Sequence, residues 1–87
     1  MKIRDGFILR DVGGKTFVVA VGELSKEFHG MITLNDTGKF IWQCIENGDS
    51  KEEIVDKMCA EYDAEREIID NDVEKFIKKL EKDNIIE

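Results

Sequence analysis

The side chains of this chain that could do chemistry are few and scattered. His29 is the only histidine. General acid–base work or metal ligation needs a carboxylate, cysteine or second histidine held at a fixed spacing beside it. The stretch Gly-Glu-Leu-Ser-Lys-Glu-Phe-His-Gly at 22–30 supplies no such motif. A solvated loop histidine is the expectation. Cys44 and Cys59 are the two cysteines. They are not in a Cys-x-x-Cys spacing, and both fall on apolar helical positions. That predicts two buried, reduced thiols rather than a disulfide or a metal pair. The acids are numerous but belong to solvated helix faces. No nucleophile–base pairing, phosphate loop or isolated acid pair stands out. The chain is expected to be no enzyme and to carry no cofactor or metal.

Charge is more informative than any single residue. With 20 acids against 13 lysines and arginines, the net charge is −7. Nucleic-acid binding needs a net or local positive field, so this class is disfavoured. The last amphipathic segment segregates its charges. Glu65, Glu67, Asp70, Asp72 and Glu74 crowd its first half, and Lys75, Lys78, Lys79 and Lys82 its second. This complements a helix dipole, which explains it without a ligand. A functional reading would make the lysines contacts for an acidic ligand.

The elements that must position these groups follow from periodicity and caps. At 87 residues, 41% apolar, the chain is one domain, 1–87, with one modest core. It has no run of apolar residues long enough to span a membrane. The start, Met-Lys-Ile-Arg-Asp-Gly, lacks the apolar stretch of a signal peptide, so a cytoplasmic protein is expected. Residues 7–12 and 15–21 read as strands joined by Gly13-Gly14, a turn able to take positive φ twice. That register puts Arg10 opposite Phe17, Ile8 opposite Val19, Leu9 opposite Val18 and Phe7 opposite Ala20. Both faces of the hairpin are then largely apolar, whereas a sheet covered on one side needs only one apolar face. Two readings stand open. Either a second copy or another partner covers the spare face, or the N-terminal segment or a loop does.

Leu24 and Phe28 in the connection 22–30 are expected to tuck back onto the sheet. Met31 to Leu34 reads as a third strand running directly into a helix over 36–47. Asn35 is placed as its N-cap, accepting from Thr37 or Gly38, with Asp36 in the first turn. Thr37, Ile41, Cys44 and Ile45 share the inner face, Phe40 edges it, and Trp42 is expected at the border of the sheet. Gly38 weakens the first turn, and Gly48 suits a left-handed C-cap. Ser50-Lys51-Glu52-Glu53 is a capping box for a helix reaching about Tyr62, with Ile54, Val55, Met58, Cys59 and Tyr62 inward. Ile69, Val73, Phe76, Ile77 and Leu80 make the stripe of a last helix over about 65–82. Asn84 stops it, and Ile85-Ile86 pack back as an extended tail. The result is an α+β domain, a three-stranded antiparallel sheet followed by three helices, that binds something.

This order of elements resembles the PqqD-like family of peptide chaperones, also called RiPP recognition elements. The residues that carry the likeness are Leu34-Asn35, Thr37, Ile41-Trp42, Gly48, Ser50, Glu52-Glu53-Ile54, Tyr62-Asp63, Asp72-Val73, Phe76 and Leu80. Asn84 departs from the family's usual glycine, and the connection 22–30 is longer than in many relatives. The resemblance implies a winged-helix-like fold. It also implies a stand-alone chaperone that binds the leader segment of a ribosomally made precursor peptide by strand addition. The modifying enzyme it serves would often be a radical S-adenosylmethionine enzyme. The implied leader site is the edge Met31, Ile32, Thr33 and Leu34, with a groove wall of Asp72, Val73, Phe76, Lys79 and Leu80. Core packing is the competing role for Val73, Phe76, Ile77 and Leu80, and for Ile77 it is the expected one. The rival functions are a winged-helix DNA-binding protein and a generic interaction module, with the possibility of a homodimer through the spare sheet face.

Overall fold

The computed structural model describes residues 1–28 and 30–87, so the reading of His29 lies outside the described residues. Three strands are followed by three helices: β1 (Phe7–Val12), β2 (Lys15–Ala20), β3 (Met31–Leu34), α1 (Asp36–Glu46), α2 (Lys51–Glu61) and α3 (Arg66–Lys82). The sheet is an antiparallel meander in the order β1-β2-β3. Gly13 and Gly14 take φ of 58° and 79°, the pair of positive values a two-residue hairpin turn requires. The β1–β2 register is the one read from that turn.

Period-2 alternation sorts the sheet into an inner and an outer face. Val18 and Leu34 are buried on the inner face, with Phe7 and Thr16 beside them. The helices supply the rest of one continuous core, chiefly Ile41, Trp42, Ile45, Ile54, Val55, Met58, Ile69, Val73, Ile77 and Leu80. Two details of the helical faces go beyond the periodicity. Trp42, expected to border the sheet, is 0% exposed, the largest fully buried side chain, in the same core cluster as Val18 and Leu34 of the sheet. An indole is the best volume filler available in so small a core, and that outweighs its N–H, which has no hydrogen-bond partner among the described residues. Thr37 is exposed instead of inward, because its hydroxyl donates to Asn35 Oδ1 at 3.0 Å in the cap. Cys44 is buried and Cys59 half-buried, both as free thiols. Burial, first, and the nearby Asp49 carboxylate push the Cys44 thiol pKa up, which keeps it inert.

The caps explain the helix boundaries. Asn35 Oδ1 accepts from the Gly38 N–H at 2.8 Å. Ser50 and Glu53 form the reciprocal capping box. Asn84 turns the chain with φ 58°, and Ile85 and Ile86 then bury themselves. Ile86 makes an isolated antiparallel bridge to Ile3, and Arg4 N–H donates to the Ile85 carbonyl at 2.9 Å. The connection after β2 contains a 3₁₀ turn, Gly22–Lys26, that buries Leu24. Phe28 meets Phe7 edge-on at 5.3 Å, so both residues tuck inward as anticipated. Among the described residues no helix is long and apolar enough to cross a membrane.

Candidate functional site

The site begins with the backbone of β3. A two-residue hairpin makes its flanking residues, Val12 and Lys15, a hydrogen-bonded pair, and such pairs recur at every second position. The Val21 N–H donating to the Gly6 carbonyl at 2.7 Å confirms the parity. Odd-numbered residues of β2 therefore bond to β1. Even-numbered ones, Thr16 and Val18, bond to their β3 partners Leu34 and Ile32. The N–H and C=O groups of Met31 and Thr33 are left pointing out of the sheet. Among the described residues strand β3 pairs only with β2, and the Ile85-Ile86 tail bridges Ile3 rather than this edge. Two donor–acceptor pairs thus stand ready for another strand.

A groove opens beside the end of this edge. It holds about 350 Å³ and is lined by Asn35, Thr37, Gly38 and Ile41 on one side and Asp72, Lys75, Phe76 and Lys79 on the other. Gly38 determines its floor. A Cβ at that position would lie 3.1 Å from Asn35 Oδ1 and 3.3 Å from Phe76 Cε2. The glycine that weakens the first turn of α1 is what lets the Phe76 ring lie against it. Phe76 is half-buried, with one side on the core and the other in the groove.

The anticipated wall residues divide cleanly. Asp72, Phe76 and Lys79 line the groove together. Val73 and Leu80 are 0% and 1% exposed and face the core, so they support the wall without presenting surface to a ligand. On β3, Met31 and Thr33 turn their side chains to the outer face, while Ile32 and Leu34 turn inward. Asn35, Thr37, Gly38, Ile41 and Lys75 were not singled out as wall. For Asn35, Thr37 and Gly38 the signal was the tight strand-to-helix junction, which places the first turn of α1 wherever β3 ends; Ile41 follows one turn on, and Lys75 is carried by the neighbouring turn of α3.

The outer sheet face bears a second apolar surface. Arg10, Val12, Phe17, Val19 and Met31 line a shallow concavity of about 330 Å³. Val12 and Met31 are 64% and 63% exposed. Neither the N-terminal segment, which pairs with the tail, nor Leu24 and Phe28, which pack inward, covers it.

No group of histidine, cysteine, aspartate or glutamate among the described residues is arranged to hold a metal ion. The polar chemistry is structural. Lys51 on α2 reaches Asp70 at 3.3 Å and Glu74 at 2.5 Å on α3, and its hydrogen bond to Glu74 is the main cause of its raised pKa. Lys57 holds Asp49 at 2.5 Å, and Arg66 holds Asp56 at 2.7 Å.

An open edge beside an apolar-floored groove is what a peptide-adding domain requires. The family model of coenzyme PQQ synthesis protein D (PqqD) matches residues 7–86. The chain belongs to the PqqD family. The match runs from the first residue of β1 to the buried tail, so it takes in the edge and the groove of this PqqD-family chain alike. A solved structure of TbiB1 in complex with the TbiA(beta) leader peptide superposes with a TM-score of 0.83 at 29% identity, covering 100% of this chain and 95% of that one. Lasso peptide synthetase B1 complexed with the leader peptide superposes with a TM-score of 0.77 at 21% identity, covering 98% and 93%. The latter likeness is one of fold. No curated protein matches the chain.

Proposed function

We propose that this chain binds the leader segment of a ribosomally synthesised precursor peptide and presents it to a modifying enzyme. The observation that carries the reading is the pair of outward backbone groups at Met31 and Thr33, next to a groove floored by Phe76. The leader adds as a fourth strand along β3. Main-chain hydrogen bonds supply affinity, and alternate side chains supply selectivity. Leader side chains opposite Met31 and Thr33 face the outer side, and those between them turn toward Asp72, Phe76 and Lys79. Membership of the PqqD family and the leader-bound TbiB1 neighbour support the same reading.

The chain then acts as a recognition partner in the cytoplasm and not as a catalyst, a role supported by its membership of the PqqD family and the leader-bound TbiB1 neighbour. The modifying enzyme is expected to be a radical S-adenosylmethionine enzyme. The outer face around Met31 and Val12 remains for a further contact, with that enzyme or with a second copy of the chain. DNA binding gains nothing from the fold, because the lysines of α3 share their helix with acids and the chain carries −7.

The test is a calorimetric titration with a synthetic leader taken from the precursor encoded beside this gene. A micromolar or tighter dissociation constant is expected, on the order of −8 kcal/mol. No heat at high micromolar concentration, together with binding of an unrelated protein, would replace the leader reading with that of a generic interaction module.

A further inference from the structure

The groove wall on α3 is ordered by charge. Asp72, Phe76 and Lys79 follow one another along the helix, and Lys75 stands beside Phe76. From Asp72 to Lys79 the helix rises about 10 Å at roughly 1.5 Å per residue. The first and third of three successive inward positions on an extended peptide lie four residues apart, about 13 Å at about 3.3 Å each, and the length of the lysine side chain takes up the difference. The charges in the wall are also unspent. Among the described residues Asp72, Lys75 and Lys79 form no ion pair, whereas Lys39, Lys51, Lys57 and Lys78 each hold a carboxylate. In a chain of net charge −7, an unneutralised Lys79 at one end of an apolar-floored groove, with an unneutralised Lys75 beside Phe76 one turn back, is a local reversal of the prevailing field.

Resting on the strand-addition reading above, we propose that the groove selects a charge-ordered leader segment. An aliphatic or aromatic side chain sits over Phe76. A carboxylate at the next inward position, two residues away along the strand, meets Lys79 and Lys75. A basic or amide side chain at the opposite inward position meets Asp72. The period of two follows from the pleat, since only alternate side chains of an added strand turn toward the helices. Apolar contact alone would accept many peptides. The flanking charges fix which apolar residue enters and in which direction the strand runs, the usual division between affinity and register.

The experiment is a display selection of random twelve-residue peptides on three proteins: wild type, Thr33→Pro, and the double variant Lys75→Glu with Lys79→Glu. Both lysines are exposed, so the double variant is expected to fold, and circular dichroism checks each protein. Wild type should enrich an acidic residue two positions from a large apolar one. The double variant should enrich a basic residue there. A selected peptide whose acid is changed to lysine should lose about fivefold in affinity on wild type, the scale of a partly exposed ion pair, and recover on the double variant. Edge-dependent peptides with no acid preference, or a preference unmoved by the charge reversal, would overturn the charge reading and leave strand addition standing. Peptides that bind Thr33→Pro as well as wild type, or no selected peptides at all, would overturn strand addition and the charge reading with it.

Discussion

The sheet has two edges, and they differ in what stands next to them. Along β1 the outward backbone groups belong to Phe7, Leu9 and Asp11, residues of the inner face. That flank is already occupied. Phe28 packs edge-on against Phe7, and Lys39 of α1 reaches across to both Asp11 carboxylate oxygens at 3.1 Å. Along β3 the outward groups belong to Met31 and Thr33, residues of the outer face. The inner flank there opens into the groove between the start of α1 and α3. Backbone groups are equally unpaired on both strands. An open edge is therefore not a binding site by itself; the neighbouring wall is what differs, and on the proposed reading it makes the β3 edge the selective one.

Hydrogen exchange should separate the two edges most strongly. With leader at a hundred times its dissociation constant, the Met31 and Thr33 amides should slow by up to about a hundredfold. Those of Leu9 and Asp11 should be unmoved. Equal slowing on both strands, or protection of Met31 and Thr33 before any peptide is added, would erase the contrast.

Thr33→Pro should weaken leader binding by about 1–3 kcal/mol, because it removes an outward N–H and leaves the peptide's carbonyl unpaired. The inner ladder through Ile32 and Leu34 survives, since the Thr33 N–H takes no part in it. Titration calorimetry measures the loss, and circular dichroism checks the fold. Lys57→Ala, far from the groove, should leave the affinity unchanged.

Ser50→Ala should cost roughly 0.5–2 kcal/mol of stability by denaturant melting, through the lost cap of α2. The leader affinity should not change, because α2 contributes nothing to the groove. A large affinity loss in a folded variant would move the site away from β3.

The smallest effect belongs to the β1 side. The hydrogen bond from Thr16, first, and then those from Lys39 hold the Asp11 carboxyl below its usual 3.8. A group lowered on folding stabilises above its unfolded pKa, and the contribution disappears as pH falls through the lower, folded value. Acidification below about pH 4 should therefore loosen the β1–α1 contact, seen as a slight loss of stability that Asp11→Asn abolishes. Leader affinity of the remaining folded protein should be the same for both.

Much of the fold was legible in the chain because short-range chemistry decides it. Gly13-Gly14 fixes the hairpin register, Asn35 and Ser50 start two helices, and Asn84 ends the third. What stayed hidden is three-dimensional. Trp42 falls outside the simple helical stripe of α1, yet it is fully inside the core that the sheet and all three helices share. The same stripe on α3 contains Val73, Phe76 and Leu80, and periodicity cannot tell which of them borders a groove. Only Phe76 does, because the missing side chain at Gly38, distant in sequence, makes room for it.

The bridge between Ile3 and Ile86 has a bearing on how the protein folds. It joins residues 83 positions apart, by subtraction of the paired numbers. Closing a flexible loop of that length costs about 4 kcal/mol of chain entropy, so the contact is favourable only once the hairpin and helices have shortened the effective loop. The tail is then expected to dock after the hairpin and helices have formed. Because Ile85 is fully buried in the shared core, a nascent chain emerging from the ribosome cannot complete that core until residue 86 has cleared the exit tunnel.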